Sequence, residues 1–136
     1  MNVKLDKGAY MPERAHATDA GADLRTPHDA IIPNKGSVVI DTGVHIELPP
    51  FTVGMLKSKS GLNVKHGITS EGVIDVGYTG SIRVKLYNHS DKPYELKAGD
   101  KISQLVVMPI YIPSFDLVDE LEDTERGNGG FGSTGR

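Results

Sequence analysis

Val38-Val39-Ile40-Asp41-Thr42-Gly43-Val44-His45-Ile46-Glu47-Leu48 is the stretch on which the fold turns. Apolar residues recur in it with period two, most clearly Val44, Ile46 and Leu48 against His45, Glu47 and Pro49. Successive side chains of a strand point to opposite faces, so this pattern predicts a half-buried strand from Val38 to Leu48. Ile82, Val84 and Leu86 repeat the pattern. Between Ile102 and Ile110 the run Leu105-Val106-Val107-Met108 is nearly continuous, which predicts a strand covered on both faces, inside a barrel or against another subunit. Turn signals at Pro33-Asn34-Lys35-Gly36, Pro49-Pro50 and Lys97-Ala98-Gly99-Asp100 punctuate the chain at intervals that suit a sandwich or barrel. One short helix is expected, capped by Ser60, turning through Leu62, Val64 and Lys65, and ended by Gly67 in a left-handed conformation. The predicted class is all-β.

Composition agrees with many short elements: 136 residues carry 16 glycines, 8 prolines, 3 phenylalanines and no tryptophan. That length supports one domain with a real core. The formal charge of −3 and the scatter of lysines and arginines lack the basic stripe of a nucleic-acid binder, so no nucleic-acid partner is expected. With no cysteine there is no disulfide, thiolate metal site or thiol nucleophile. No apolar run reaches membrane-spanning length and the first six residues lack a signal-peptide core, so the expected setting is cytoplasmic and free of membrane. After Ile112-Pro113, residues Phe115, Leu117, Val118 and Leu121 still need cover, yet six acidic residues from Asp116 to Glu125 surround them and read as a solvated connector.

Five glycine-punctuated segments could carry chemistry. The first is Ala20-Gly21-Ala22-Asp23-Leu24. In the second, Lys59-Ser60-Gly61-Leu62, a hydroxyl, amides and a lysine would suit a phosphate, although a plain helix cap is the stronger reading of Ser60 alone. In the third, Gly72-Val73-Ile74-Asp75-Val76-Gly77-Tyr78-Thr79-Gly80, a carboxylate follows two strand formers. An acid held on a rigid strand end can deprotonate a water; equally, Asp75 can simply accept turn amides. The fourth, Gly99-Asp100-Lys101-Ile102-Ser103-Gln104-Leu105, flanks an amide with residues expected to be buried, so Gln104 needs a partner. The fifth is Arg126-Gly127-Asn128-Gly129-Gly130-Phe131-Gly132-Ser133-Thr134-Gly135-Arg136. A lone glycine-rich terminus is usually disordered. Here Phe131 has no local core to join, and Arg126, Ser133 and Thr134 offer phosphate donors, so a segment that orders around a ligand fits better.

In this order, and from Ala20 to Gly135, the segments resemble the five motifs of the trimeric dUTP pyrophosphatase (dUTPase) family. The resemblance implies a jelly-roll-like β-barrel over residues 1–125, a flexible C-terminal arm over residues 126–136 that serves as a lid of the same domain, and a homotrimer with shared active sites. It also implies hydrolysis of dUTP to dUMP and pyrophosphate by water attack on the α-phosphorus, with Mg²⁺ as cofactor. Position by position, Asp75 would be the catalytic base and would touch the sugar 3′-hydroxyl. Tyr78 would pack under the deoxyribose and exclude a 2′-hydroxyl, and the backbone between Gly67 and Val73, with Gly72 and Ile74, would form the hairpin that reads uracil. Lys59, Ser60 and Gly61 would hold phosphates; Asp23 and Gln104 would bind waters on the metal. Phe131 and Gly132 would cover the base, while Arg126, Ser133 and Thr134 would grip the γ-phosphate.

The second motif usually reads Pro-Arg-Ser-Gly-Leu, and Lys59 stands here in place of its arginine. The charge is kept, but the planar fork is lost. Competing readings are the related dCTP deaminase, which the complete fifth motif disfavours, and a regulatory scaffold that docks an unknown protein partner.

Overall fold

Alternating apolar residues turn one face of each segment into core, and the computed structural model, which describes residues 1–135, realises this in short elements. Among those residues the order is β1 (Val3–Leu5), β2 (Gly21–Arg25), β3 (Ala30–Ile32), β4 (Ser37–Asp41), β5 (Val44–Ile46), β6 (Thr52–Lys57), α1 (Ser60–His66), β7 (Ile68–Ile74), β8 (Arg83–Asn88), β9 (Tyr94–Leu96) and β10 (Lys101–Pro109). An antiparallel six-stranded sheet runs β2-β10-β6-β7-β8-β4, and two-stranded sheets β1-β5 and β3-β9 accompany it. Leu24, Ile32, Ile40, Val44, Leu86 and Leu96, one from each of six strands in all three sheets, share a single buried cluster. The all-β class therefore holds. No described helix is long and apolar enough to cross a membrane.

β8 follows the predicted alternation throughout, with Val84, Leu86 and Asn88 buried and Arg83, Lys85 and Tyr87 exposed. The stretch from Val38 to Leu48, in contrast, is two strands rather than one. Gly43 adopts φ 67°, its N–H donates to Asp41 Oδ1 at 3.1 Å, and the chain bends there, sending β4 to the large sheet and β5 to β1. Val44, Ile46 and Leu48 still face the core as their spacing requires.

The helix also differs at its start. Lys59 occupies the cap position and Ser60 is the first helical residue, with no side-chain capping bond. Gly67 ends it in the left-handed conformation, as expected. Within β10, Leu105 is buried, Val106 and Val107 are half-buried and Met108 is 40% exposed, so one chain does not cover both faces of this run. The segment after Pro109 has no regular structure; Phe115, Leu117 and Leu121 lie open to solvent. Arg136, the last residue of the predicted tail, lies outside the described residues.

Buried polar groups are matched, as a dry interior demands. Asn88 is the clearest case. Its Nδ2 donates to the carbonyls of Ile32 (3.1 Å) and Lys92 (2.8 Å), and its Oδ1 accepts from the backbone N–H (2.9 Å) and hydroxyl (2.7 Å) of Ser90. One side chain thus ties the end of β8 to β3 and to the following turn. Asn88→Ala is expected to destabilise the protein by about 2–4 kcal/mol, because it strands several buried partners at once. Denaturant unfolding at one fixed protein concentration measures this, and a loss below about 1 kcal/mol would show that water replaces the carboxamide.

Candidate functional site

The candidate residues fall into three groups. The first surrounds a cleft of about 240 Å³ lined by Leu56, Gly72, Val73, Ile74, Asp75, Tyr78, Ile82 and Arg83. It exists because β7 changes partner along its length. Ile68–Ser70 pair with Leu86–Asn88 of β8, but Glu71–Ile74 pair with Gly54–Lys57 of β6, while β8 continues onto β4. The β7–β8 hairpin therefore splays toward its tip, and the cleft opens between the diverging limbs. This corrects the expected hairpin between Gly67 and Val73: that segment is one extended limb, and the bend lies beyond it.

Small residues set the shape of this cleft. A Cβ on Gly72 would approach Leu56 Cδ1 to 3.0 Å, and one on Gly54 would meet Ile74 and Leu105 at 3.2 Å, so β6 and β7 pack closely only with glycine there. At the tip, Tyr78 N–H donates to the Asp75 carbonyl at 3.1 Å, with Gly77 at φ 91° closing the turn. Tyr78 folds back over Gly80, where a Cβ would lie 2.7 Å from the ring, and its hydroxyl donates to the Ser81 carbonyl at 3.0 Å. Asp75 is exposed at the end of β7, one residue beyond the last ladder position. The carboxylate and the tyrosine ring thus share one rigid turn.

The second group gathers Asp23, Gln104 and Lys59, with Ser60 and Gly61 next in the chain. Asp23 and Gln104 face each other in register across β2 and β10. Asp23 is buried, hydrogen-bonded to the ammonium of Lys59 and 2.7 Å from that of Lys101. Lys59 is therefore engaged inside the chain, where the sequence placed it on a ligand. Gln104 Nε2 donates to the Ser58 carbonyl at 3.0 Å, the partner its setting demanded. Its Oε1 lies over Gly21, where a Cβ would come within 2.5 Å, so the glycine of the first motif makes room for the amide of the fourth. Lys101 was not singled out from sequence. It lies in the fourth motif, yet reaches Asp23 only because β10 bulges between Lys101 and Ser103.

No group of three or more histidine, cysteine or acidic side chains that could enclose a metal occurs among the described residues. Asp23 and Gln104 do offer two hard oxygen donors side by side, and the carboxylate is already balanced by two ammonium groups. Such a pair suits hydrogen bonds to the waters of a hydrated Mg²⁺ held elsewhere, not direct ligation.

The third group, the tail, stands apart from both. Its hydrogen bonds stay within residues 124–135: Gly129 N–H to the Arg126 carbonyl, Arg126 Nε to the Gly129 carbonyl, Ser133 N–H to the Gly130 carbonyl and Gly135 N–H to the Gly132 carbonyl. Phe131 is fully exposed at φ 52°, a conformation few phenylalanines adopt. The chain by itself does not bring Arg126, Phe131, Gly132, Ser133 or Thr134 to Asp75.

Burial disfavours the Asp23 carboxylate, but the hydrogen bonds and charges of Lys101 and Lys59 outweigh it and hold the carboxyl below its ordinary 3.8. A depressed folded-state value contributes stability above pH 3.8 that is lost as pH falls through the folded value. The stability difference between the wild type and Asp23→Asn should therefore be wide at neutral pH and narrow below pH 3.8. Urea unfolding of both proteins across that range tests it; a gap independent of pH would mean that the carboxylate charge is not what matters.

A family model described as dUTPase matches residues 7–135. The chain is 44% identical to the deoxyuridine 5′-triphosphate nucleotidohydrolase of Gloeothece citriformis, over 98% of this chain and 94% of that protein. It is also 44% identical to the probable deoxyuridine 5′-triphosphate nucleotidohydrolase of Schizosaccharomyces pombe, over 97% and 95%. Among solved structures it superposes on the dUTPase of Staphylococcus bacteriophage 80alpha with dUPNHPP at a TM-score of 0.93 and 34% identity, covering 99% of this chain and 98% of that one. A mutant dUTPase of phage phi11 of S. aureus, described with a structural Mg(II) ion, gives 0.82 at 30% identity over 90% and 98%. Motif order, strand order and these likenesses agree along almost the whole chain, and the protein belongs to the dUTPase family.

Proposed function

We propose that the protein hydrolyses dUTP to dUMP and pyrophosphate, acting in the cytoplasm or a similarly reducing compartment and so limiting dUTP while supplying dUMP. The observation that carries this reading is the cleft at the splayed hairpin, where Asp75 and Tyr78 are fixed on one turn.

Asp75 takes a proton from a water that attacks the α-phosphorus; the bond from that phosphorus to the bridging oxygen breaks, and pyrophosphate leaves. A positioned base contributes roughly 10²- to 10⁴-fold. Tyr78 lies against the deoxyribose, and its ring, backed by Gly80 and the Ser81 carbonyl, resists a 2′-hydroxyl. Gly72 and Ile74 present backbone to uracil along the β7 edge that has turned away from β8. Ser60 and Gly61 approach the phosphates. Nothing within 4 Å crowds Gly61 inside the chain, so the fold itself has room for a side chain there, and the glycine suits close approach from outside. Lys59, committed to Asp23, lends positive potential instead of a bidentate contact.

Mg²⁺, when bound, neutralises charge on the phosphates as bonds rearrange. Asp23 and Gln104 would orient its waters. Arg126, Ser133 and Thr134 close over the γ-phosphate and Phe131 stacks on uracil, which gives an exposed aromatic a surface to cover. The active unit is a homotrimer with the lid supplied between subunits. Its support is the open apolar surface of Tyr111, Phe115, Leu117 and Leu121, which has no cover within one chain.

Pyrophosphate release measured across dUTP, dTTP, dCTP and UTP should be substantial with dUTP alone; ammonia release from dCTP would point to deamination. Asp75→Asn should retain dUTP binding and lose turnover by roughly 10²-fold or more, whereas near-normal turnover would remove Asp75 from the base role. Deleting residues 127–136 should leave a folded assembly with very poor turnover. If the deletion unfolds the protein instead, the tail is structural.

A further inference from the structure

The turn that carries Asp75 and Tyr78 is gripped from outside the site by the bend between β4 and β5 and the residues that flank it. At its C-terminal end, Thr42 N–H and Oγ1 both donate to the Ile82 carbonyl (3.0 and 2.7 Å), and Ile82 N–H donates to the Val44 carbonyl at 2.8 Å. The Ser81 hydroxyl donates to Asp41 Oδ1. Nearer the tip, the His45 ring reaches the Thr79 carbonyl through Nδ1 at 2.7 Å, and Asp6 Oδ2 through Nε2 at 3.1 Å. The two partners lie 34 and 39 residues away in sequence, on opposite sides of the ring.

Chemistry makes this last contact conditional. A backbone carbonyl and a carboxylate are both acceptors, so both ring nitrogens must carry protons for both bonds to exist, and only imidazolium does. A neutral ring keeps one N–H and sets a lone pair against the other acceptor. The charged Asp6 carboxylate is the stronger acceptor, so the proton a neutral ring keeps goes to Nε2 and the bond to Thr79 is the one lost. Thr79 directly follows Tyr78, so that loss loosens the tip of the turn while Ile82 stays pinned. A cleft of about 300 Å³, lined by Asn2, Lys4, His45, Glu47 and Thr79 among others, opens beside the ring and admits the solvent that exchanges its proton.

We propose that protonated His45 is a positioning residue that holds Tyr78 in its sugar-excluding place through the Thr79 carbonyl, so that rate and sugar discrimination weaken together when His45 loses its proton. This deepens the reading of the site given above and rests on it. The charges around the ring come from every element that meets there. Asp6 faces Nε2 and favours the cation; Lys4, paired with His45 across β1 and β5, opposes it. Glu47 lies just beyond the end of β5, Asp75 at the far end of the turn, and Asp41 and Arg83 at its base. The Thr79 carbonyl and then Asp6 outweigh burial and the Lys4 charge and raise the imidazole above its ordinary 6.5. The clamp is therefore present below pH 6.5 and is released as pH rises through the higher folded value.

The test compares wild type, His45→Gln and His45→Ala. For the wild type, the ratio of kcat/KM for dUTP to that for UTP should fall as pH rises through the His45 value, above 6.5. Glutamine can donate to Thr79 without titrating, so His45→Gln should flatten that dependence. Alanine should hold the ratio at the released, high-pH value of the wild type at every pH, roughly tenfold below the clamped value for a displaced contact residue. A role confined to stability would lower Tm in the variants and leave ratio and profile unchanged, and that result overturns the proposal. Imidazole NMR of the wild type supplies a readout independent of turnover: the His45 ring and the amides of Tyr78 and Thr79 should shift with one common midpoint. Separate midpoints overturn the clamp even if dUTP is hydrolysed. If no dUTP is hydrolysed, the reading of the site fails, and the common midpoint still decides whether the clamp exists.

Discussion

A strand has two hydrogen-bonding edges, and the site depends on how β7 uses them. Its first three paired residues bond to β8 and its last four to β6, so the two limbs of one hairpin are drawn to different neighbours. The separation produces a cleft without any insertion or lid of its own. It also leaves Asp75 at the end of a ladder paired on the β6 side, which suits the base role proposed for it. Gly54 and Gly72 are the condition for this, because side chains there would push β6 and β7 apart and alter the bend.

Around that cleft, two kinds of electrostatic arrangement do different work. Asp23 is a buried charge, tolerable only because Lys59 and Lys101 both bond to it. Lys59 in place of the arginine of the second motif is well suited to this, since a compact ammonium can sit against one oxygen of a carboxylate that a second lysine shares. The cost is a freer phosphate contact on the ligand side. His45 is the opposite case: it lies near the surface, and its two acceptors make the charge useful by joining the segment after the N-terminal strand to the turn that carries Asp75 and Tyr78.

What could be read from the sequence depended on how far each residue must reach. Ile82, Val84 and Leu86 were legible because alternation is local, and Gly67 because a helix end needs a left-handed residue. The break at Thr42-Gly43 was hidden by an alternation that stays in phase across it, since Val44 and Ile46 are buried as a single strand would also require. Asp75 was legible as an acid on a strand end. The partners of Lys59 and His45 were not: Asp23 and Thr79 lie 36 and 34 residues away, and only sheet order brings them together. The motif order carried the family, while the engagement of Lys59 with Asp23, which that order did not reveal, came from packing.

The same comparison explains why the tail and the turn are built so differently. The turn is over-determined: Asp41, Thr42, Val44 and His45 hold Ser81, Ile82 and Thr79, and Gly80 lets Tyr78 lock onto its own backbone. In the role proposed for Tyr78, sugar discrimination would require a wall that does not yield, because a ring free to move by a fraction of an ångström would accept the extra hydroxyl. The tail has the reverse composition, with glycines between its donors and hydrogen bonds only to itself. As the proposed lid, it would lose ordering entropy on ligand binding and recover it when product leaves, which favours turnover over tight retention. A rigid selector and a loose cover, as proposed, would be complementary demands, met in one chain by placing the first on a turn anchored between two strands and the second beyond the last strand.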